Sequence, residues 1–121
     1  MLDALLDSWA RNNAILVNLL RALPDGALEA KAMEGSPSIA QLFAHIHYVR
    51  LIFVVEDAPE FARPLPEQEW AVDHDRDRLA RMLAESAAAV REAVKGRVEA
   101  GHDMTNEVAG PLTWRVWMRK R

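Results

Sequence analysis

The side chains best able to do chemistry in this chain lie close together on one short stretch. His45 and His47 supply imidazole nitrogens, which bind metals and transfer protons near neutral pH. Arg50 follows them, at a position that helical spacing places among apolar residues. A charge there is costly unless it is paired, so we expect Arg50 to have a carboxylate or several carbonyl groups as partners. The candidate acids are Asp7, Glu56 and an acid of the third predicted helix.

Any metal site in this chain must use nitrogen and oxygen ligands, because the sequence contains no cysteine. Imidazole is supplied only by His45, His47, His74 and His102. A stable zinc-type site needs about three converging protein ligands. Two residues apart on one helix, His45 and His47 point about 200° from each other and cannot bind one ion together. The local spacing alone therefore does not build a metal site.

Two adjacent amides interrupt the apolar stripe of the first predicted helix. Asn12 and Asn13 occupy positions where the helical repeat calls for apolar residues. In one interpretation, one amide points to solvent and the other makes a satisfied hydrogen bond in the core. In the other, both amides line a polar pocket midway along a helical bundle. Together with Arg50 they form the candidate pocket.

Three long helices must position these residues. Leucines at helical spacing predict a first amphipathic helix over 2–22, which Pro24 and Gly26 end. Residues 25–35 are predicted to be a connector with a short helical turn. A third helix is predicted over 74–95.

The second helix is predicted over 36–57 and carries both histidines and the arginine. Ser36 suits the cap position and Pro37 the first helical position, where its missing N–H costs nothing. Ser38 and Gln41 offer an alternative capping box one step inward. The two caps differ in where they place the first turn.

The third helix has Asp73 as its predicted cap and Gly96 as its predicted stop. Before it, three prolines within 58–72 prevent one continuous helix. No strand-type alternation occurs in the chain. We predict an all-α fold, an antiparallel helical bundle with three long helices and a docked C-terminal tail.

Length and charge limit the class of function. The chain has 121 residues, enough for a single domain over 1–121 with one modest core. Its net charge of −3 argues against nucleic-acid binding, and the basic triplet at 119–121 is a weak contrary signal. We expect no membrane-spanning helix, because no apolar run approaches the ~20 residues that span a bilayer. The acidic, amphipathic N-terminus is unlike a signal peptide, so we expect a cytoplasmic protein.

The first two helices resemble the DinB-like family of metal-binding four-helix bundles. The resemblance rests on the sequences of 5–13, 38–46 and 45–50, and extends more loosely over 2–95. It implies a divalent metal, such as zinc, nickel or manganese, held by three histidines of the bundle. The family's second-helix ligand matches His45, with His47 as the runner-up.

The other two ligands of that family come from a His-x-x-x-His pair on a fourth helix, and this pair is absent. Only His102 follows the third predicted helix. The sequence reads as though Gly96 and His102 were joined across a deletion of the metal-bearing helix. We therefore expect a DinB-like bundle that is incomplete in its fourth helix, with an incomplete metal site in one chain.

Two functions follow from these observations. The resemblance implies a metal-dependent hydrolase or thiol transferase acting on a small molecule, in which the metal lowers the pKa of a water or thiol. The alternative is a non-catalytic helical scaffold or interaction module that acts as a homodimer. In the enzyme hypothesis His45 points towards the first helix, near Asn12 or Asn13.

The homodimer is favoured because one chain is not expected to bury all of its apolar side chains. Three helices and a short tail cannot bury all five of Leu19, Leu42, Val49, Leu83 and Val90. Soluble monomers rarely expose contiguous apolar patches beyond a few hundred Å². These side chains would leave an apolar groove on the bundle. Either the segment from Trp114 to Met118 covers this groove, or a second chain does so.

Overall fold

A computed structural model describes residues 1–70 and 74–101 of the chain. Within these ranges it contains three α-helices and two short 3₁₀ turns, and no strand. The helices are Leu2–Ala22 (α1), Ile39–Asp57 (α2) and Arg76–Glu99 (α3), and the turns are Ala27–Glu29 and Pro59–Phe61. The predicted all-α helical fold is confirmed. The predicted docked tail, with Trp114 and His102, lies outside the described residues.

Helix α1 begins and ends where the leucine spacing predicts, at Leu2 and Ala22. Its inward positions Leu6 and Leu20 are both buried. The indole nitrogen of Trp9 donates a hydrogen bond of 2.9 Å to the carbonyl of Ala87 in α3. Close approach of α1 to α3 is possible there because small residues occupy this part of α3.

Helix α2 starts at Ile39, two residues later than Pro37, the first helical position that the outer cap predicts. Ser38 accepts a hydrogen bond of 3.2 Å from the Gln41 amide, and the Gln41 side chain accepts one of 2.8 Å from the Ser38 amide. Ser36 instead bonds to the backbone of Met33 in the preceding turn. The inner capping box is therefore correct and Ser36 is not the cap, because the box satisfies two amide donors at once.

Helix α3 differs from its prediction at both ends. Asp75, not Asp73, caps it by accepting hydrogen bonds from two backbone amides of the first turn. Gly96 does not stop the helix, which continues to Glu99. The turn that follows has Gly101 at φ 86°, a left-handed conformation that favours glycine.

The helix directions follow from two core clusters, one at each end of the bundle. At one end Leu6 of α1 packs with Val54 and Val94, near the C-termini of α2 and α3. At the other end Leu20 packs with Phe43 and Leu79, near the N-termini of α2 and α3. Helix α1 therefore runs antiparallel to α2 and α3, which are parallel to each other. The prediction that all three helices alternate in direction is wrong in this respect.

Parallel neighbours require a connection that returns along the bundle, and the proline-containing segment after α2 provides it. Arg63 anchors this crossover on α3 by bonding to the Glu92 carboxylate at 2.9 Å. Arg97 of α3 donates to the carbonyl of Asp57 at 2.9 Å. The Phe61 ring packs directly on Gly96 of α3. These contacts hold the start of the crossover against α3.

Several large apolar side chains remain outside the core. We call Ile15, Leu19 and Leu42 the apolar flank; their exposed fractions are 66%, 55% and 47%. They lie on α1 and α2, whereas Leu83 and Val90 of α3 are buried. The expectation that three helices and the tail together cannot bury all five positions stays a prediction, because the tail lies outside the described residues.

Helix α2 is also apolar enough to cross a bilayer by length and composition alone, since it has 19 residues and contains an 18-residue window of mean hydropathy 1.3. The sequence-based judgement that no run reaches this length is therefore too strict. In the described fold 44% of that window is buried, and α2 packs along α3 as a core helix. Core helices of soluble proteins can have the same length and hydropathy.

The Phe61–Gly96 contact predicts that Gly96→Ala destabilises the wild-type fold but stabilises a fold that lacks the Phe61 ring. In the wild-type chain, Gly96→Ala places a methyl group in the Phe61 ring and should destabilise the fold by about 1–3 kcal/mol, as overpacking does. In a Phe61→Ala background the same change should stabilise it by up to about 1 kcal/mol, because alanine favours the helix. Urea unfolding of the four proteins measures the coupling. Equal effects in both backgrounds would show that the ring does not constrain position 96.

Candidate functional site

Arg50 occupies the middle of the bundle and contacts both other helices. It is 6% exposed, so its charge lies inside the fold. One amino group, Nη1, donates to Asn13 Oδ1 at 2.9 Å, to the Leu83 carbonyl at 3.0 Å and to Ser86 Oγ at 3.3 Å. The guanidinium carbon lies 4.8 Å from the ring centroid of Trp9, a cation–π contact. Arg50 therefore links α2 to both α1 and α3.

The partners of Arg50 are neutral. The expectation of several carbonyl partners is met by Asn13 and Leu83, whereas Asp7, Glu56 and the acids of α3 form no ion pair with Arg50. Burial lowers the pKa of Arg50 to about 10. The side chain therefore still carries its positive charge at neutral pH, with no counter-charge among the described residues.

The two adjacent amides of α1 have different surroundings. Asn13 is half-buried and its side-chain oxygen accepts the hydrogen bond from Arg50. Asn12 is exposed. This division matches the interpretation in which one amide is solvated and the other is bonded in the core. Only Asn13 belongs to the Arg50 cluster in the described contacts.

His47 faces α3 and is 4% exposed. Its ring lies near the backbone of Met82, and its Nδ1 has no hydrogen-bond partner among the described residues. Burial lowers the pKa of His47, and the charge of Arg50 acts in the same direction while Glu85 opposes them. Inside the bundle, the neutral imidazole is therefore favoured.

His45 lies on the outer side of α2, against the crossover. Its ring stacks on Trp70 with centroids 5.1 Å apart and an interplanar angle of 10°. Its Nδ1 pairs with a carboxylate oxygen of Glu69, and the side chain is 42% exposed. Gln41 helps to hold this edge by donating to the Trp70 carbonyl at 3.2 Å. The prediction that His45 points towards Asn12 or Asn13 is wrong, because the crossover packs on this face of α2.

A metal at this edge would find two suitable donors, His45 and Glu69. No group of three or more His, Asp or Glu side chains that could hold a metal occurs within 1–70 and 74–101. A stable structural or catalytic zinc site uses about three protein ligands. The described residues therefore do not complete such a site, and His102 lies outside them. His74 is separate from His45 and lies 3.8 Å from Glu29.

Sequence reasoning missed two groups of residues at these positions. Glu69 and Trp70 stand in a proline-containing segment where no local repeat indicates their target. Nor does the helical spacing of Ser86 and Trp9 indicate that they contact Arg50. Their roles depend on which helices become neighbours, and sequence spacing within one helix carries no such information.

The fold and these contacts define a helical-bundle protein with a buried arginine cluster and an outer histidine–carboxylate pair. The model of the DinB family matches residues 1–116, so the chain belongs to the DinB family. The resemblance seen in the first two helices is thereby confirmed. No curated protein and no solved structure shows significant similarity to the chain.

The surroundings of His47 predict a pH-dependent stability. Its pKa is lowered in the fold relative to 6.5, so the unfolded chain binds a proton that the folded chain resists. The free energy of unfolding should therefore fall as pH decreases below about 6.5, by at most about 1.4 kcal/mol per pH unit for one proton. Urea unfolding between about pH 8 and pH 5 should show a shallower dependence for His47→Gln. An identical slope in the variant would contradict this role for His47.

Proposed function

We propose that this DinB-family chain is a metal-dependent hydrolase or transferase in which His45 binds a divalent metal beside Glu69. The observation that supports the proposal is the contact between the His45 ring and the Glu69 carboxylate at the outer edge of α2. An imidazole nitrogen and a carboxylate oxygen are donors that suit zinc, nickel or manganese. His45 is also the position that the family resemblance selects.

The edge has properties that a metal site needs. The His45 side chain is partly exposed, so an ion can reach it from solvent. Stacking on Trp70 limits rotation of the imidazole and keeps it near Glu69. His47 is less suited, because it is buried and faces α3 rather than this edge. These contacts favour His45 over His47 as the ligand.

A bound divalent ion supplies Lewis-acid chemistry, lowering the pKa of a water or thiol that it holds. The residues of this chain contribute the two donors and their orientation. Two protein donors are fewer than the three of a typical catalytic zinc site, so we expect weak metal binding unless further ligands come from outside the described residues. In this proposal the substrate is a small molecule, and the protein is cytoplasmic and does not bind nucleic acid.

Metal titration tests the proposal. Isothermal titration calorimetry with zinc, nickel and manganese should show binding to the wild-type chain, with clear loss in His45→Gln and Glu69→Gln. His74→Gln is the matched control, because His74 also lies near a carboxylate, Glu29, but away from this edge. Removing one of two donors should weaken binding by at least about tenfold. Equal binding by the His45→Gln and His74→Gln variants would refute the assignment.

The apolar flank supports a second candidate, a non-catalytic helical scaffold that forms a homodimer. Ile15 and Leu19 are one turn apart on α1, so they form one apolar surface. Leu42 presents a further exposed apolar side chain on α2. Covering such side chains in a two-fold interface would remove apolar surface from water. This candidate needs no metal, so the calorimetry above also separates it from the enzyme.

Light scattering after size exclusion tests the homodimer. The molar mass measured for the wild-type protein should be twice the 13.6 kDa of one chain. Leu19→Glu should give a monomer, because a carboxylate cannot be buried in an apolar interface without a partner. Asn18→Glu is the control. This substitution adds the same charge at an exposed position that lies about 100° from Leu19 around α1. A wild-type monomer at micromolar concentration would rule out the dimer.

A further inference from the structure

We propose that Arg50 is an anion-binding residue, which receives the carboxylate or phosphate group of a small molecule inside the bundle. The observation is a buried guanidinium whose hydrogen-bond acceptors within residues 1–70 and 74–101 are all neutral. This inference goes beyond the proposed metal chemistry. It does not depend on a metal at His45, which lies on the outer side of α2 against the crossover.

The charge of Arg50 is not compensated within the described residues. A buried cation loses its hydration, and neutral acceptors restore only part of that free energy. Helix α2 nevertheless keeps the charge in its core-facing set of residues. An anion bound next to Arg50 would supply the missing counter-charge in a region where electrostatic attraction is stronger than in water.

The hydrogen bonds of Arg50 leave one edge of the guanidinium available. All three bonds come from Nη1, and neither Nη2 nor Nε donates a hydrogen bond within the described part of the chain. The Nε–Nη2 edge is one to which a carboxylate or phosphate binds with two parallel hydrogen bonds. A bidentate anion therefore matches the donors that remain.

The opposite edge and one face of the guanidinium are already held. Asn13 of α1 and both Leu83 and Ser86 of α3 fix Nη1, while the Trp9 ring contacts the guanidinium face. The side chain therefore does not have to be ordered when an anion binds, which lowers the entropic cost of binding. This arrangement distinguishes Arg50 from an exposed arginine such as Arg11.

In this proposal the anion reaches Arg50 between α1 and α2. Within the described residues these two helices pack chiefly against α3 and contact each other little. Asn12 is exposed and follows directly before Asn13 in the sequence, and its side-chain amide would serve as a further donor to the anion. Because Arg50 is only 6% exposed, the group that reaches it must be small.

The test uses the full chain freed of metal with a chelator, and acetate and inorganic phosphate as probes. Sodium chloride at equal ionic strength corrects for general salt effects. At about one hundred times Kd, a probe should raise the melting temperature by several degrees. It should also shift one arginine Nε resonance in the ¹⁵N spectrum with the same saturation curve. A response to acetate alone assigns a carboxylate ligand, and one to both probes assigns a general anion site.

Three variants test whether the response to the anion depends on Arg50. Arg50→Met should abolish the saturable response, whereas Arg11→Met, which removes an exposed charge from α1, should keep it. Arg50→Lys keeps the charge but loses the planar fork, so it should bind at least about tenfold more weakly. It also assigns the Arg50 resonance if Arg50→Met does not fold. No shift of the Arg50 resonance in the wild type, or an equal response in Arg50→Met, would overturn the proposal.

Discussion

The buried guanidinium of Arg50 is the interaction on which the arrangement of this bundle depends. It starts from α2 and contacts Asn13 and Trp9 on α1, and Leu83 and Ser86 on α3. A charged group in the core needs hydrogen-bond acceptors, so the three helices must keep the relative rotation that brings these acceptors to Nη1. A small rotation of α2 would bury the same charge without partners.

This fixed rotation also decides what the two histidines can do. At about 100° per residue, His47 lies within about 60° of Arg50 around α2, whereas His45 lies about 140° away. His47 therefore points to α3, where burial favours its neutral form. His45 points outwards and meets the crossover. Two imidazoles that are only two residues apart thus have unrelated environments, one structural and one accessible to ions.

The parallel direction of α2 and α3 creates the surroundings of His45. Parallel neighbours need a long return segment, and this segment brings Glu69 and Trp70 beside the histidine. The proposed metal edge is thus a consequence of topology, while the proposed anion site at Arg50 is a consequence of helix rotation. The apolar flank is the surface that the proposed homodimer would bury, and the three features occupy different parts of the fold.

The sequence by itself determined what depends on neighbours within a few residues. The bounds of α1, the capping box of Ser38 and Gln41, and the inward position of Arg50 all follow from local spacing and backbone hydrogen bonds. The resemblance of the first two helices also sufficed to identify the family. These features need no knowledge of which helices pack together.

Only the tertiary structure decided the features that join distant segments. Gly96 was expected to stop α3, but the Phe61 ring packs on it and the helix continues, because a missing Cβ there serves packing rather than termination. The contacts of Arg50 with α3 and both partners of His45 were not predicted, for the same reason: helix periodicity fixes which way a side chain points, but not what it meets. The partners are set by the parallel course of α2 and α3, which the lengths of the connections allow but do not specify.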